Sequence, residues 1–291
     1  MTTANIDDVF ENSILTNIKR KSTFVDKVVM HNKMPLFSWI DINPTELCNR
    51  TCEFCPRHDP ATYPNQNLHM SLTLANKLAQ ELKDLEYQGG LIICGHGEPL
   101  LHPEIVQLVA AFGDSIHTEI VTNGDRLTLG LLKDLFAAGL SYLLVSLYDG
   151  PHQVDEMKAL FDEAGISDDR FCLRDRWHTV EEDFGLKLTN RAGTVNTGHQ
   201  PELDNERPCY YTHYSMQIEW NGDVLVCVQD WNKRIRFGNV NHQTLVEVWQ
   251  NKIINKYRRH LGKGLRMDEP CKNCNVNGTL HGESHMRAWM S

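Results

Sequence analysis

Within the eight residues Cys48-Asn49-Arg50-Thr51-Cys52-Glu53-Phe54-Cys55, three cysteines stand at C-x3-C-x2-C spacing, just after an apolar run from Leu36 to Ile42. Three thiols so close together can converge on one small inorganic centre. Four-iron clusters take four cysteine ligands, so a set of three leaves one iron open to a substrate or cofactor. Zinc is the other use of such thiols. Its structural sites pair C-x2-4-C units with a further ligand nearby, and His58 offers one.

Composition excludes several classes of function. No apolar run approaches the roughly 20 residues that cross a bilayer, which argues against a membrane protein. The opening Met1-Thr-Thr-Ala-Asn-Ile-Asp-Asp is too polar and acidic for a secretory signal. A net charge of −9 argues against nucleic acid as partner. The basic clusters at Lys19 to Lys21 and Lys256 to Arg259 read as solvated helix ends. Nine cysteines without an export signal point to a reducing, cytoplasmic setting and to metal ligation rather than disulfides.

Phe10, Ile14 and Ile18 recur every four residues between Asp7 and Ser22, predicting a short helix packed outside the main fold. Strands are expected at Leu36 to Ile42, Leu91 to Cys94, His117 to Thr122, Tyr142 to Leu147 and Phe171 to Arg174, with a sixth at Leu186 to Thr194. Helices are expected between them: Ser71 caps one through Leu85, and Pro103 to Phe112, Leu127 to Ala138 and Gln153 to Ala164 supply the others. Strands alternating with helices indicate βαβ units around a parallel sheet, an α/β fold.

With Phe54 in the aromatic position before its third cysteine, the cysteine loop resembles the signature of the radical S-adenosylmethionine (radical SAM) enzymes. The resemblance covers most of the chain from Leu36 onward and implies a partial (β/α)6 TIM-like barrel. Chemistry in such barrels collects at the C-terminal ends of the strands. There the chain carries the cysteine loop, Gly95-His96-Gly97-Glu98-Pro99, Asn123-Gly124, Ser146-Leu147-Tyr148-Asp149 and Arg174-Asp175-Arg176. The second of these resembles the family's GGEP motif, with His96 in place of the first glycine. By that resemblance Gly97 and Glu98 meet the amino group of S-adenosylmethionine, Asn123 and Ser146 its ribose or carboxylate, and Phe54 its adenine. Arg174 either pairs the carboxylate bidentately or forms an ordinary salt bridge. Cys94 and Cys172 read as small buried hydrophobes, Cys172 with a second reading as hydrogen-atom donor.

A polar linker from Asn196 to Arg207 introduces a second constellation. Two strands, Tyr214 to Trp220 and Asp223 to Val228, flank Asn221-Gly222, a type I′ hairpin signal. Thr244 opens a helix with Leu245, Val248, Trp249 and Ile253 on one face. Cys209, Cys227, Cys271 and Cys274 make a complete four-ligand set for zinc or an iron–sulfur cluster. Their spacing resembles the SPASM extensions of radical SAM proteins. The stretch from Asn275 to Ser291 lacks the three further cysteines of a full SPASM domain, which implies the shortened twitch form, a small α+β domain. His281, His285 and Arg287 read as an exposed polar tail.

Three regions are expected: an N-terminal helical extension (1–35), the partial barrel (36–195) and the auxiliary cluster domain (196–291). The resemblance implies two 4Fe-4S clusters, S-adenosylmethionine as cofactor, and a one-electron reductase such as a flavodoxin or ferredoxin. The first site reads as carrying a radical hydrogen abstraction with no catalytic side chain assigned beyond its cluster. Twitch-type dehydrogenases that oxidise a cyclitol hydroxyl imply a small polar substrate, a sugar or cyclitol. Maturation of a peptide or protein is the alternative, which the short stretch before Leu36 disfavours because it is too small for a winged-helix leader-binding domain. A non-catalytic zinc module is the alternative of another class.

Overall fold

The computed structural model describes residues 6–185, 188–196 and 202–291. Helix α1 (Ile6–Val25) leads into a short antiparallel pair, β1 (Met30–His31) and β2 (Met34–Pro35). The alternating region follows as β3 (Trp39–Ile42), α2 (Leu72–Asp84), β4 (Gly90–Ile93), α3 (Ile105–Phe112), β5 (His117–Thr122), α4 (Leu129–Ala137), β6 (Tyr142–Leu147), α5 (His152–Ala164) and β7 (Phe171–Asp175). The C-terminal part holds α6 (Tyr211–Tyr214), β8 (Ser215–Ile218), β9 (Asp223–Leu225), β10 (Arg236–Asn239), α7 (Leu245–Trp249), α8 (Lys252–Gly262) and α9 (Glu283–Met290).

One open sheet joins eight of these strands in the order β10-β9-β8-β3-β4-β5-β6-β7. The run from β8 to β7 is parallel, and β9 and β10 are antiparallel to their neighbours. Register decides what faces what. Asp41 lies beside Ile92 and Gln217, Ile92 beside Glu119, Val121 beside Leu144, and Ser146 beside Arg174. Since successive side chains alternate, Asp41, Val121, Ser146 and Arg174 share one face. The other face carries Ile40, Ile42, Leu91, Ile93, Ile120, Leu143 and Val145, which join one buried cluster with Leu74, Leu78 and Leu82 of α2, Leu108 of α3 and Leu132 of α4. Fully burying each such side chain is worth roughly 1.5–3 kcal/mol. Ser71 and Thr128 cap α2 and α4 by accepting from Leu74 N and Leu131 N, both at 3.2 Å.

Several expectations need correction. Of Leu186 to Thr194, residues 186 and 187 lie outside the described residues, and 188–194 hold a 3-10 turn (Arg191–Gly193) rather than a sixth strand. The sixth parallel strand is β8, which arrives from the C-terminal part and pairs with β3. The hairpin turn is also not type I′, because only Gly222 takes a positive φ (83°), with Gly222 N bonded to Glu219 O at 2.9 Å. A type I turn closed by a left-handed glycine describes it. The helix opened by Thr244 stops at Trp249, since Asn251 caps a new one by accepting from Ile253 N and Ile254 N. Ile253 is therefore 49% exposed and leaves the apolar face.

Helix α1 is present, although the side chains of Phe10 and Ile14 lie outside the described residues. Its last turns do more than lie against the exterior. Arg20 pairs with buried Glu119, Lys21 sits 4.6 Å over the Trp39 ring, and Val25 is fully buried beside Trp39, Ile92 and Leu144. The tail is likewise not simply exposed. His285 is completely buried, and Trp289 Nε1 donates to His213 O at 3.1 Å, whereas Arg287 is exposed and pairs with Glu283.

Candidate active site and second cysteine centre

A cavity of about 410 Å³ opens where the strand ends converge. Cys48, Cys52, Cys55, Phe54, Gly97, Glu98, Asn123, Ser146 and Arg174 all line it, so every residue expected at the first site meets there. Residues given no role from sequence line it too: Arg50, Tyr148 and Arg176 within the strand-end segments already singled out, and Asp41, Arg191 and Trp231 outside them. Alternation along β3 could have placed Asp41 beside Trp39 on this face, and Arg50 lies inside the cysteine loop itself. Cys94 was expected to be buried in the apolar strand, yet it lines this cavity. It follows the last residue of β4, where the register turns it to the cavity face. His58 is exposed, with Nδ1 at 3.4 Å from Thr51 O.

The cysteine loop is held from three sides. Asn65 binds both backbone atoms of Cys48, accepting from its N–H and donating to its C=O at 2.9 Å each. Arg57, buried behind the loop, donates to the carbonyls of His96 and Glu46 and to Asn65 Oδ1. Arg50 grips the loops after β5 and β6 together: Nε and Nη2 reach Asp125 at 2.7 and 2.6 Å, and Nη1 and Nη2 reach Asp149 at 3.0 and 2.6 Å. The hydrogen bonds from Arg50 keep Asp149 below the ordinary carboxylate range.

Glu98 is the buried carboxyl of the site. Leu100 N donates to it at 3.0 Å, Thr122 Oγ1 at 2.6 Å and Asn123 N at 2.8 Å. Burial nevertheless pushes it up to about 7, the three donors pulling the other way. Its segment must pass close to the cysteine loop. A Cβ on Gly97 would stand 2.2 Å from Thr45 O and 2.7 Å from Leu47 O, which only glycine avoids. Arg174 Nη2 donates to Ser146 Oγ at 2.8 Å, so these two act as a unit, while Arg174 Nε is buried without a partner. Asn123 Nδ2 donates to Asn49 Oδ1 at 2.9 Å. Phe54 stacks with Tyr148 and meets Phe184 at a tilt of 52°.

His96, the departure from the glycine motif, turns its Nδ1 to Glu219 at 3.2 Å. Glu46, His96 and Glu219 bring ligand atoms within 4.8 Å of one another, as a metal site would. Lys233 already supplies the cation there, bonding Glu46 and standing 2.8 Å from Glu219. Tyr63 donates to Glu46 at 2.5 Å and Asn43 to Glu219 at 3.0 Å, extending this polar network at the cavity wall.

The other four cysteines meet elsewhere. Cys209, Cys227, Cys271 and Cys274 line a small cavity with Ala192, Gln229, Arg266, Pro270 and Val276. Both sets suit a multi-iron centre. Burial and neighbouring thiols push Cys52 up to about 12, and the same causes raise Cys227 and Cys271 well above the usual thiol range. Thiols so placed ionise only when a metal centre compensates their charge.

Comparison with known proteins agrees with this geometry. Residues 42–160 match the radical SAM superfamily and residues 209–275 the iron–sulfur cluster-binding SPASM domain. The chain thus carries a radical SAM domain and a SPASM domain, which imply 4Fe-4S clusters and S-adenosylmethionine. It is similar to the S-adenosyl-L-methionine-dependent 2-deoxy-scyllo-inosamine dehydrogenase of Niallia circulans, at 27% identity over 82% of this chain and 93% of the relative. The crystal structure of BtrN with AdoMet and 2-DOIA superposes with a TM-score of 0.72 and 26% identity, covering 87% of this chain and 98% of that one. Human molybdenum cofactor biosynthesis protein 1 is 35% identical over 38% of this chain, a segment that is 17% of the human protein. A peptide-maturing or zinc-binding protein is not favoured by these matches. No helix among the described residues is long and apolar enough to cross a membrane.

Proposed function

We propose that this chain oxidises a hydroxyl group of a small polyol, a cyclitol or sugar, by radical dehydrogenation. One observation carries the reading: an open three-cysteine site and a closed four-cysteine site lie in a chain that matches a cyclitol dehydrogenase over 93% of that relative's length. When bound, the first cluster and S-adenosylmethionine together supply a radical able to take hydrogen from an unactivated carbon.

The chain's own residues hold and shield that chemistry. Cys48, Cys52 and Cys55 would ligate the first cluster, and the Arg50 and Asn65 clamps fix the loop that carries them. Glu98 would face the cofactor's ammonium, the Ser146–Arg174 pair and Asn123 its carboxylate and ribose, and Phe54 its adenine. Cys209, Cys227, Cys271 and Cys274 would use all four positions of a second cluster, leaving none for substrate and fitting an electron-transfer role. Working boundaries at 1–35, 36–195 and 196–291 separate the two cysteine sets. The reductant would be a one-electron donor such as a flavodoxin or ferredoxin, and the setting the cytoplasm.

Protein reconstituted without oxygen tests this reading. About eight irons per chain are expected, with dithionite-dependent release of 5′-deoxyadenosine. Cyclitols and sugars deuterated at the carbinol carbon should pass label into that product. Four irons, or no label transfer from any polyol, would refute the reading.

A further inference from the structure

The second cysteine cavity has a cation in its wall and no carboxylate to balance it. Cys209, Cys227, Cys271 and Cys274 share that wall with apolar Ala192, Pro270 and Val276, with neutral Gln229, and with Arg266. Arg266 is 2% exposed. Among the described residues it pairs with no carboxylate, unlike Arg50 and Arg57 at the first cavity, which meet Asp125, Asp149 and Glu46. Its hydrogen bonds go to backbone carbonyls instead. Nε donates to Arg207 O at 2.8 Å, Nη1 to Cys274 O at 3.0 Å, and Nη2 to Pro208 O at 3.1 Å and Val276 O at 3.0 Å.

Those oxygens belong to the segments that carry the cysteines. The Pro208 carbonyl is part of the peptide bond that leads into Cys209, and the Cys274 and Val276 carbonyls lie at and just after another thiol. One guanidinium thus ties two of the ligand loops together at the cavity wall. Carbonyl dipoles offset part of its charge, yet a buried charge without a counterion costs several kcal/mol. The thiols supply that counterion once a metal centre ionises them. Burial raises Cys209, Cys271 and Cys274, and the Arg266 charge pulls each of them back down. Arg207 is a second guanidinium nearby. It bonds Asn275 O and Val276 O, but it is only half-buried and does not line the cavity.

We propose that Arg266 is a positioning residue of the second centre, a fixed cation in its wall that makes the centre easier to reduce by one electron. An added electron makes a thiolate-bound centre more negative. Net charge and hydrogen bonding around the sulfurs set its potential, and a cation in an apolar wall acts on it with little screening. The proposed dehydrogenation needs such an acceptor. The carbinol carbon loses a hydrogen atom and its hydroxyl a proton; the one electron left over reduces the second centre as the carbonyl forms. The inference rests on the two-cluster reading, which the iron count of the unaltered protein tests separately.

The test compares the full chain with Arg266→Gln, Arg266→Lys and Arg207→Gln, each reconstituted and matched for iron. A parallel series with Cys48, Cys52 and Cys55 replaced by alanine leaves the second centre alone. Redox titration followed by electron paramagnetic resonance reads its midpoint potential. R266Q should make the one-electron reduction about tenfold less favourable, a fall of about 59 mV. R266K keeps the charge while losing most of the carbonyl bonds, so it should hold that equilibrium within about threefold while releasing iron faster to a chelator. R207Q should move the potential less than R266Q does. An unchanged potential in R266Q, with faster iron loss as its sole effect, would overturn the proposal and make Arg266 a strut between the ligand loops. Where R266Q takes up no iron, R266K decides: a potential as low as tenfold less favourable reduction would overturn it. So would a larger fall in R207Q than in R266Q, which would assign the tuning charge to Arg207.

Discussion

Lys233→Met removes the cation shared by two buried carboxylates, and its effect can be worked out from their surroundings. The side chains of Glu46 and Glu219 are 4% and 1% exposed, and Lys233 bonds both. Breaking a buried ion pair from one side costs about 3–5 kcal/mol, because a charge is left uncompensated. Lys233 is itself 21% exposed, so about 3 kcal/mol is the expected loss. At roughly 2–4 °C per kcal/mol that lowers the thermal midpoint by about 6–12 °C. The pH dependence carries a sign. Burial alone would push Glu219 up, yet His96 and Lys233 hold it below the ordinary carboxylate range. A depressed native pKa contributes stability that is present above the unfolded value, about 4.3, and is lost as pH falls through the native one. Without Lys233 less opposes the upward push of burial on Glu219, so its native pKa rises. The deficit of K233M should therefore be largest near pH 8 and shrink toward pH 5. Scanning fluorimetry of the reconstituted holoenzyme at a fixed heating rate measures this, and adding Glu219→Gln should recover more than half the loss. A shift under about 2 °C at pH 8, or one independent of pH, would refute the reasoning.

Other perturbations follow from the site. Arg50→Met releases the cysteine loop from two neighbouring loops; for a partly exposed network the cost is about 1–2 kcal/mol, read as roughly 5- to 30-fold faster iron loss to a chelator. Gly97→Ala should abolish formation of 5′-deoxyadenosine, because its Cβ meets carbonyls of a fixed backbone; iron content reports whether the cluster survives. Glu98 is held near 7 by burial, so an ammonium partner binds best once the carboxyl has ionised. S-adenosylmethionine affinity should then rise as pH climbs through 7 in calorimetric titration, and Glu98→Gln should bind more weakly with a flat profile.

Most of the sheet could be read from local pattern, because strands β3 to β7 are short apolar runs bounded by turns and helix caps. The strand-end rule then located the first site, since parallel strands in register bring their ends to one rim. What escaped was non-local. Nothing near Ser215 announces that it will lie beside Trp39, and the stretch from Asn196 to Arg207 before it reads as a polar linker. The Glu46–His96–Glu219–Lys233 network draws its members from four separate segments, of which only the one with His96 stood out in the sequence. Arg20 and Lys21 also looked like a solvated helix end, and only the packing of α1 shows them closing the inner face of the sheet. Ile253 failed for a local reason: Asn251 caps a helix more strongly than the apolar period can extend one.

Strand β8 has a consequence for how a chain of this kind can be cut. A truncation at the linker would not release a self-sufficient catalytic half. It would strip β3 of its neighbour and leave Trp39 to Ile42 with a row of open amides and carbonyls along an apolar edge. Such an edge recruits other chains. The auxiliary region is thus the selvedge of the catalytic sheet, and the two must be inherited, expressed and engineered as one cloth.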